Sequence, residues 1–362
     1  MGDADILQVV TDTDPRGAQV FGVDLHEALA GRGQTVRTVA LAPGRHGDLL
    51  DLPVLARSWP SREVLSALRR EMARARVVVA HGSSTLPACA IAGMGRGAPF
   101  VYRQISDSLF WADSAARRLR VRLFLRRASR VVALWSGSAR VLSERFGVDS
   151  RLIDIIPNGV PASRCPRIDP SGRPAARSRF GLRPFTPTLL YIGALVPEKG
   201  VDAAIRALAG CEECQLLTVG GGPELERLRA LADAVAPGRV VFAGPLDNPA
   251  DAFAAADIVV LPSRGGDSMP AVLIEAGLSG LPAVSTTVGA IPEIVQAGVT
   301  GEIVAPDDES QLVAAIRRAL GRAERYGLAA RRHCLEHFEI GTVAGQWDRL
   351  LTSLLPAAVP GA

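Results

Sequence analysis

Forty-one of the 362 side chains are lysine or arginine, and reading the chain through, one of them alone is lysine: Lys199. It closes the turn Gly193-Ala194-Leu195-Val196-Pro197-Glu198-Lys199-Gly200, which leaves the β-type run Leu189–Ile192 and enters a helix at Val201. An ammonium on a flexible stem neutralises a phosphate as a point charge, without the planar partner that suits a guanidinium. Glycine permits close backbone approach, and the first N–H groups of a helix are free to meet an anion. This segment therefore reads as a phosphate site.

A second group follows the run Ile258–Leu261, in the order Pro262-Ser263-Arg264-Gly265-Gly266-Asp267-Ser268-Met269-Pro270-Ala271-Val272 and on to Glu275. Pro270 suits the first turn of a helix, which puts Asp267 in the loop and Glu275 on the helix. Seven residues apart, the two carboxylates do not form a metal pair or acid–base dyad on one helix face, but they fit the two ends of one extended ligand. A carboxylate accepts from the vicinal hydroxyls of a sugar or ribose, and the free N–H groups around Ser268–Val272 suit a phosphate.

Other residues with chemical potential read more plainly. Asp12-Thr13-Asp14 follows a strand and reads as loop and cap residues. Cys211-Glu-Glu-Cys214 has no second pair, and with five scattered cysteines it reads as reduced thiols in an ordinary turn rather than a metal or disulfide framework. No metal site is expected.

The elements that must carry these residues alternate between short apolar runs and helix-length segments, the pattern of parallel α/β units. Strands are predicted at Ile6–Val10, Thr35–Leu41, Val77–Ala80, Phe100–Tyr102, Val131–Leu134 and Leu152–Ile156. After a Pro/Arg/Ser/Gly-rich stretch they resume at Leu189–Ile192, Leu216–Val219, Val240–Ala243, Ile258–Leu261, Ala283–Ser285 and Glu302–Val304. The expected fold is α/β with two doubly wound, Rossmann-like domains facing a cleft, the ligand beyond the carboxyl ends of the strands. Residues 1–165 are expected to form the first domain, 166–186 a linker and 187–340 the second domain. An amphipathic stretch, Thr342–Leu355, predicts a helix returning to the first domain, at about 341–362.

These motifs resemble the retaining, nucleotide-sugar-dependent glycosyltransferases of family 4, which have the GT-B fold. The resemblance rests on Gly193…Leu195…Lys199-Gly200, the turn Gly220-Gly221-Gly222-Pro223-Glu224, the spaced acids Asp267…Glu275, Gly280-Leu281-Pro282 and Gly289-Ala290-Ile291-Pro292-Glu293. In the first half it runs through Asp14-Pro15-Arg16-Gly17-Ala18-Gln19, Ala80-His81-Gly82 and Pro157-Asn158-Gly159-Val160, so it spans nearly the whole chain.

The resemblance implies catalytic roles for Lys199, His81 and Asp267. Lys199 would neutralise the leaving diphosphate, Glu275 would hold the ribose, and Asp267 with Ser268, Met269, Pro270, Ala271 and Val272 would hold the donor sugar and phosphate. Gly193 and Gly17 would bring backbone against the phosphates, Gly222 and Pro223 would border the base, and His81 would touch the donor sugar. The family's arginine after the motif glycine is Ala194 here, so Arg16 and Arg264 are the candidate substitute cations. The first acid of the pair is aspartate rather than glutamate, one methylene shorter.

The implied activity is transfer from a UDP- or GDP-sugar to a hydroxyl with retention, with no required cofactor. The acceptor would be a glycan or a lipid-linked glycan. The alternatives are a nucleotide-sugar epimerase on the same fold and a catalytically degenerate partner subunit.

Seven arginines in Arg117–Arg130, beside Leu119 and Leu123, suit an anionic membrane surface, while Val121, Phe124, Leu125 and Ala128 form an inward stripe. A formal net charge of +4 gives no reason to expect a nucleic-acid partner. The apolar runs are too short to span a bilayer, which needs roughly 20 residues. The acidic start Met1-Gly2-Asp3-Ala4-Asp5 lacks the basic region of a secretory signal. The expected location is the cytoplasm, with peripheral binding at the inner face of the membrane.

Overall fold

The computed structural model describes residues 4–45, 50–95, 98–105 and 114–355. The chain packs as two compact units, one running to Gly159 and taking in the segment from Ile340, the other formed by Val160–Glu339. The end of the returning segment, residues 356–362, lies outside the described residues.

The first unit carries β1 (Ala4–Val10), α1 (Gly17–Ala30), β2 (Val36–Ala40), α2 (Arg62–Met72), β3 (Ala75–His81), α3 (Thr85–Ala92), β4 (Phe100–Arg103), α4 (Ala115–Leu125), β5 (Arg130–Ala133), α5 (Ser136–Phe146) and β6 (Ile153–Ile155). Its sheet is parallel, in the order β2-β1-β3-β4-β5-β6, so the winding reverses between β1 and β3. The strands are short Val-rich runs because helices cover both faces of a parallel sheet.

The second unit carries α6 (Arg173–Arg179), β7 (Thr188–Ile192), α7 (Val201–Ala207), β8 (Gln215–Val219), α8 (Leu225–Val235), β9 (Val240–Gly244), α9 (Ala250–Ala255), β10 (Ile258–Leu261), α10 (Ala271–Ser279), β11 (Ala283–Thr286), α11 (Ile291–Ile294), β12 (Gly301–Val304), α12 (Glu309–Leu320) and α13 (Ala323–His337). The sheet order β12-β11-β10-β7-β8-β9 is the dinucleotide-fold arrangement, with its switch point between β7 and β10. All four residues of β10 and the Leu189-Leu190-Tyr191 stretch of β7 are buried.

The final helix, α14 (Ile340–Leu354), belongs to the first unit. It buries Ile340, Val343, Ala344, Trp347 and Leu351 against Phe21, Leu25 and Leu29 of α1. The predicted amphipathic helix is thus present and packs where expected.

The stretch 166–186, read as a linker, differs from that reading. It holds α6, whose Arg177 is buried and donates to the carbonyls of Ala255 and Pro184, 2.9 Å each, and to the Asp257 carboxylate. The reason is physical: a seven-residue helix with a proline in its first turn shows no apolar period, and its anchors are polar. Among the described residues no helix is long and apolar enough to cross a membrane.

Candidate donor site at the switch point of the second unit

β7 and β10 are parallel neighbours, so the loops leaving their carboxyl ends start side by side. Pro197–Lys199 form one 3-10 turn, and Gly200 in the left-handed region (φ +66°) starts α7. A side chain at Gly200 would overlap the carbonyl oxygen of Pro262, so glycine is what allows the two loops to touch there. The amide of Arg264 bonds the Glu198 carbonyl at 2.8 Å and ties them together.

Across this junction Lys199 forms an ion pair with Asp267. The other Asp267 oxygen accepts from the Ser263 hydroxyl. The Lys199 side chain keeps 22% of its surface exposed and that of Asp267 6%, so the ammonium is the partner open to an incoming anion. Tyr191, at the end of β7, has its phenol pushed up by burial and by the Asp267 charge, and donates to the Ala194 carbonyl at 2.7 Å.

Pro270 is the residue before α10 rather than its first helical residue. Ser268 and Met269 precede it, and Ala271 and Val272 begin the helix, where first-turn N–H groups have no carbonyl within the helix to bond. The Ser268 carbonyl accepts from Ala290 at 2.8 Å, and a side chain on Gly289 (φ +56°) would overlap the Asp267 carbonyl. Glu275 lies one turn into α10, half-buried.

On the β8 side, Gly222 packs so closely that a methyl group there would overlap the Leu195 carbonyl oxygen. Leu195 donates to the Gly221 carbonyl at 2.9 Å and accepts from Glu224 at 3.1 Å, which fixes the Gly220–Pro223 turn beside Gly193 and Leu195. The structure therefore brings Gly193, Lys199, Gly222, Pro223, Asp267, Ser268, Met269, Pro270, Ala271, Val272 and Glu275 onto loops and one helix leaving β7, β8 and β10 of a single sheet.

Arg264 is engaged elsewhere. It holds Asp202 with two bonds of 2.7 and 3.0 Å, reaches Asp307, and donates to the Pro197 carbonyl at 3.0 Å. These carboxylates push its guanidinium up, and the arrangement makes it a brace for the loops rather than an open cation. Arg16 sits before α1 of the first unit, 62% exposed and paired with Asp12. Gly17 opens α1, with nothing near the place a side chain would take. Asp12 also accepts from Gln19 at 2.7 Å and from the Asp14 amide at 3.2 Å, the loop-and-cap role read from sequence.

His81 departs from its expected role. The end of β3 leaves it 1% exposed, with Nε2 2.9 Å from Gln8 Oε1 on β1 and Nδ1 3.5 Å from Arg103. The rings of Phe21 and Trp347 lie 6.1 and 6.2 Å away. Burial, then the Arg103 charge, hold His81 well below its ordinary value, so it is neutral. In this structure the ring is enclosed and bonded at Nε2, which makes His81 a post of the β1–β3 junction.

Arg103 is the residue that sequence reading missed. It is buried, stacked 3.7 Å from the Phe21 ring centre, bonded to Asn158, and lowered by burial to about 9. Its place at the end of an apolar run gave no signal.

Cys211 and Cys214 are buried in the turn before β8, and their sulfurs and the Glu213 carboxylate lie within 4.8 Å of one another. That is one ligand short of a structural zinc site.

Two doubly wound α/β units, with a lysine and spaced acids at the switch point of the second, define the class of GT-B proteins. The sequence matches the profile of glycosyl transferases group 1 over residues 186–322 and that of glycosyltransferase family 4 over residues 15–164. The chain belongs to this family. It is 31% identical over 278 residues to a D-inositol 3-phosphate glycosyltransferase of Nocardia farcinica, covering 72% of this chain and 58% of that protein. It is 32% identical over 219 residues to a GDP-mannose-dependent alpha-(1-6)-phosphatidylinositol monomannoside mannosyltransferase of Mycolicibacterium smegmatis, covering 56% and 57%. The chain thus spans a little over half the length of these relatives. The crystal structure of Anabaena HepE in complex with UDP shares the fold, with a TM-score of 0.87 at 23% identity over 96% of this chain and 100% of that one.

Proposed function

We propose that this chain is a retaining glycosyltransferase that moves a sugar from a UDP- or GDP-linked donor to an acceptor hydroxyl on a glycan or lipid-linked glycan. The observation that carries the reading is the meeting of Lys199 and Asp267 across the switch point, where such sheets bind ligands. Lys199 neutralises the leaving diphosphate. Asp267 holds the donor sugar through its hydroxyls, and the N–H groups of Ser268, Met269, Ala271 and Val272 hold the phosphate. Glu275 holds the ribose, and the Gly222–Pro223 turn borders the base.

The bond from the anomeric carbon to the phosphate oxygen breaks with its electron pair going to the diphosphate. The acceptor oxygen bonds to the same face of that carbon, and its proton passes to the leaving phosphate oxygen. Charge grows on the diphosphate in this step, so a preplaced cation and aligned N–H groups contribute most. The relation to HepE, solved with UDP, and to a mannosyltransferase named for GDP-mannose supports a nucleoside diphosphate donor. The arginines of α4 support peripheral attachment to an anionic membrane at its cytoplasmic face.

Calorimetry with UDP and GDP tests the reading, and one of the two should bind. Binding of neither by folded protein would make the chain a partner subunit. Radiolabelled nucleotide sugars then identify the donor, and conversion to an epimer without acceptor dependence would assign it as an epimerase.

A further inference from the structure

The two carbonyls that precede Lys199 are each held twice. The Pro197 carbonyl accepts from the Gly200 amide at 3.2 Å, which closes the 3-10 turn around Lys199, and from Arg264 Nη1 at 3.0 Å. The Glu198 carbonyl accepts from the Arg264 amide at 2.8 Å and from the Gly265 amide at 3.4 Å. Arg264 thus grips the Lys199 turn with its main chain and its side chain at once.

The guanidinium is itself fixed from two directions. Asp202, on α7 just past Gly200, accepts from Nη1 and Nη2 at 2.7 and 3.0 Å. Asp307, in the loop between β12 and α12, accepts from Nε at 2.5 Å. Among the described residues Asp307 is the one non-glycine residue in the left-handed region (φ +60°), which aspartate and asparagine enter more readily than most side chains. A planar fork with five donors holds two carboxylates and a carbonyl in one fixed arrangement, which an ammonium on a flexible stem does not reproduce.

We propose that Arg264 is a positioning residue of the donor site: held between Asp202 and Asp307, it sets the Pro197–Gly200 turn and so the place from which the Lys199 ammonium meets a diphosphate. The inference rests on the donor-site reading and deepens it. It makes nucleotide affinity depend on Asp307, whose side chain is 62% exposed on a loop outside the Lys199 and Asp267 segments.

The test is a double-mutant cycle on the affinity of the full chain for UDP and GDP, read by calorimetry, with thermal unfolding measured alongside. With Lys199 present, R264Q should weaken binding of the preferred nucleotide about tenfold and D307N about threefold, within the coupling usual for residues of one hydrogen-bond network. In the K199A background each should change affinity by less than about twofold, while the fall in melting temperature should be the same in both backgrounds. R264K should weaken binding as R264Q does, because it keeps the charge and loses the fork. D307N keeps a side chain suited to the left-handed region and carries the same cycle where R264Q does not fold. Equal losses of affinity with and without Lys199, wild-type affinity in R264K, or wild-type affinity in R264Q and D307N together would overturn the proposal. With UDP or GDP bound by the wild type, those results remove the positioning role alone. Binding of neither nucleotide by folded wild type removes the donor-site reading and this role with it.

Discussion

Lys199 and Asp267, 68 positions apart in sequence, form one ion pair because the strands that precede them, β7 and β10, are neighbours in the sheet. The pair has a consequence for binding. On the proposed reading, a diphosphate arriving at the switch point would compete with Asp267 for the ammonium, so the carboxylate that holds the cation in place would also lower the affinity for the ligand.

The first prediction follows from that competition. Lys199→Ala should lower transfer by at least about 10²–10³, the usual loss on removing one group that stabilises developing charge, with the circular dichroism spectrum unchanged. Asp267→Asn should lower transfer and tighten binding of the free nucleoside diphosphate. A double-mutant cycle on nucleotide affinity should show coupling of about 0.5–3 kcal/mol. Near-normal turnover in Lys199→Ala would remove the assignment.

Two adjacent glycines give a paired test of how the loops are held. Gly222→Ala would drive a methyl group into the Leu195 carbonyl, whereas Gly221→Ala meets nothing within 4 Å. The first should cost about 1–3 kcal/mol of stability and weaken nucleotide binding. The second should leave both within about 0.5 kcal/mol. Equal melting temperatures for the two variants would show that the turn does not lean on the Lys199 loop.

Much of this was legible because the information is local. Buried parallel strands read as apolar runs, and Gly, Pro and the solitary lysine mark the loops that follow them. What the sequence hid is long-range and polar. Arg177 finds Asp257 80 positions away, so α6 looked like a linker. His81 finds Gln8 73 positions away, so its packed place at the β1–β3 junction did not show. Arg264 stood beside Asp267 in sequence and seemed available, but Asp202, 62 positions back, claims its guanidinium.

Glu275 allows a separate check on the ribose contact. Its half-buried place on α10 is compatible with Glu275→Ala folding normally. Loss of hydrogen bonds to a charged group, about 1.5–3 kcal/mol, should weaken nucleotide binding by about 10- to 100-fold. Calorimetry of the nucleoside beside its 2′,3′-dideoxy analogue places the contact: wild type should discriminate between them, and the variant should not. Unchanged affinity in the variant would place the ribose elsewhere.

The buried imidazole of His81 makes stability depend on pH with a definite sign. Burial and Arg103 hold it well below 6.5 in the folded chain, while in the unfolded chain it titrates near 6.5. Below that pH the unfolded state binds the extra proton, so stability falls as pH falls, by up to about 1.4 kcal/mol per pH unit for this one group. His26 and His333 are also lowered by burial and act in the same direction, so the comparison must be with His81→Gln rather than with a theoretical curve. The glutamine keeps a hydrogen-bonding group near Gln8 but cannot titrate. Its absolute stability at pH 7.5 will drop because the packing against Phe21 and Trp347 changes. Its loss of stability between pH 7.5 and 5, read from urea unfolding midpoints, should be shallower than that of wild type. Parallel curves would mean that His81 is protonated within the fold, and that the neutral ring at the β1–β3 junction is wrong.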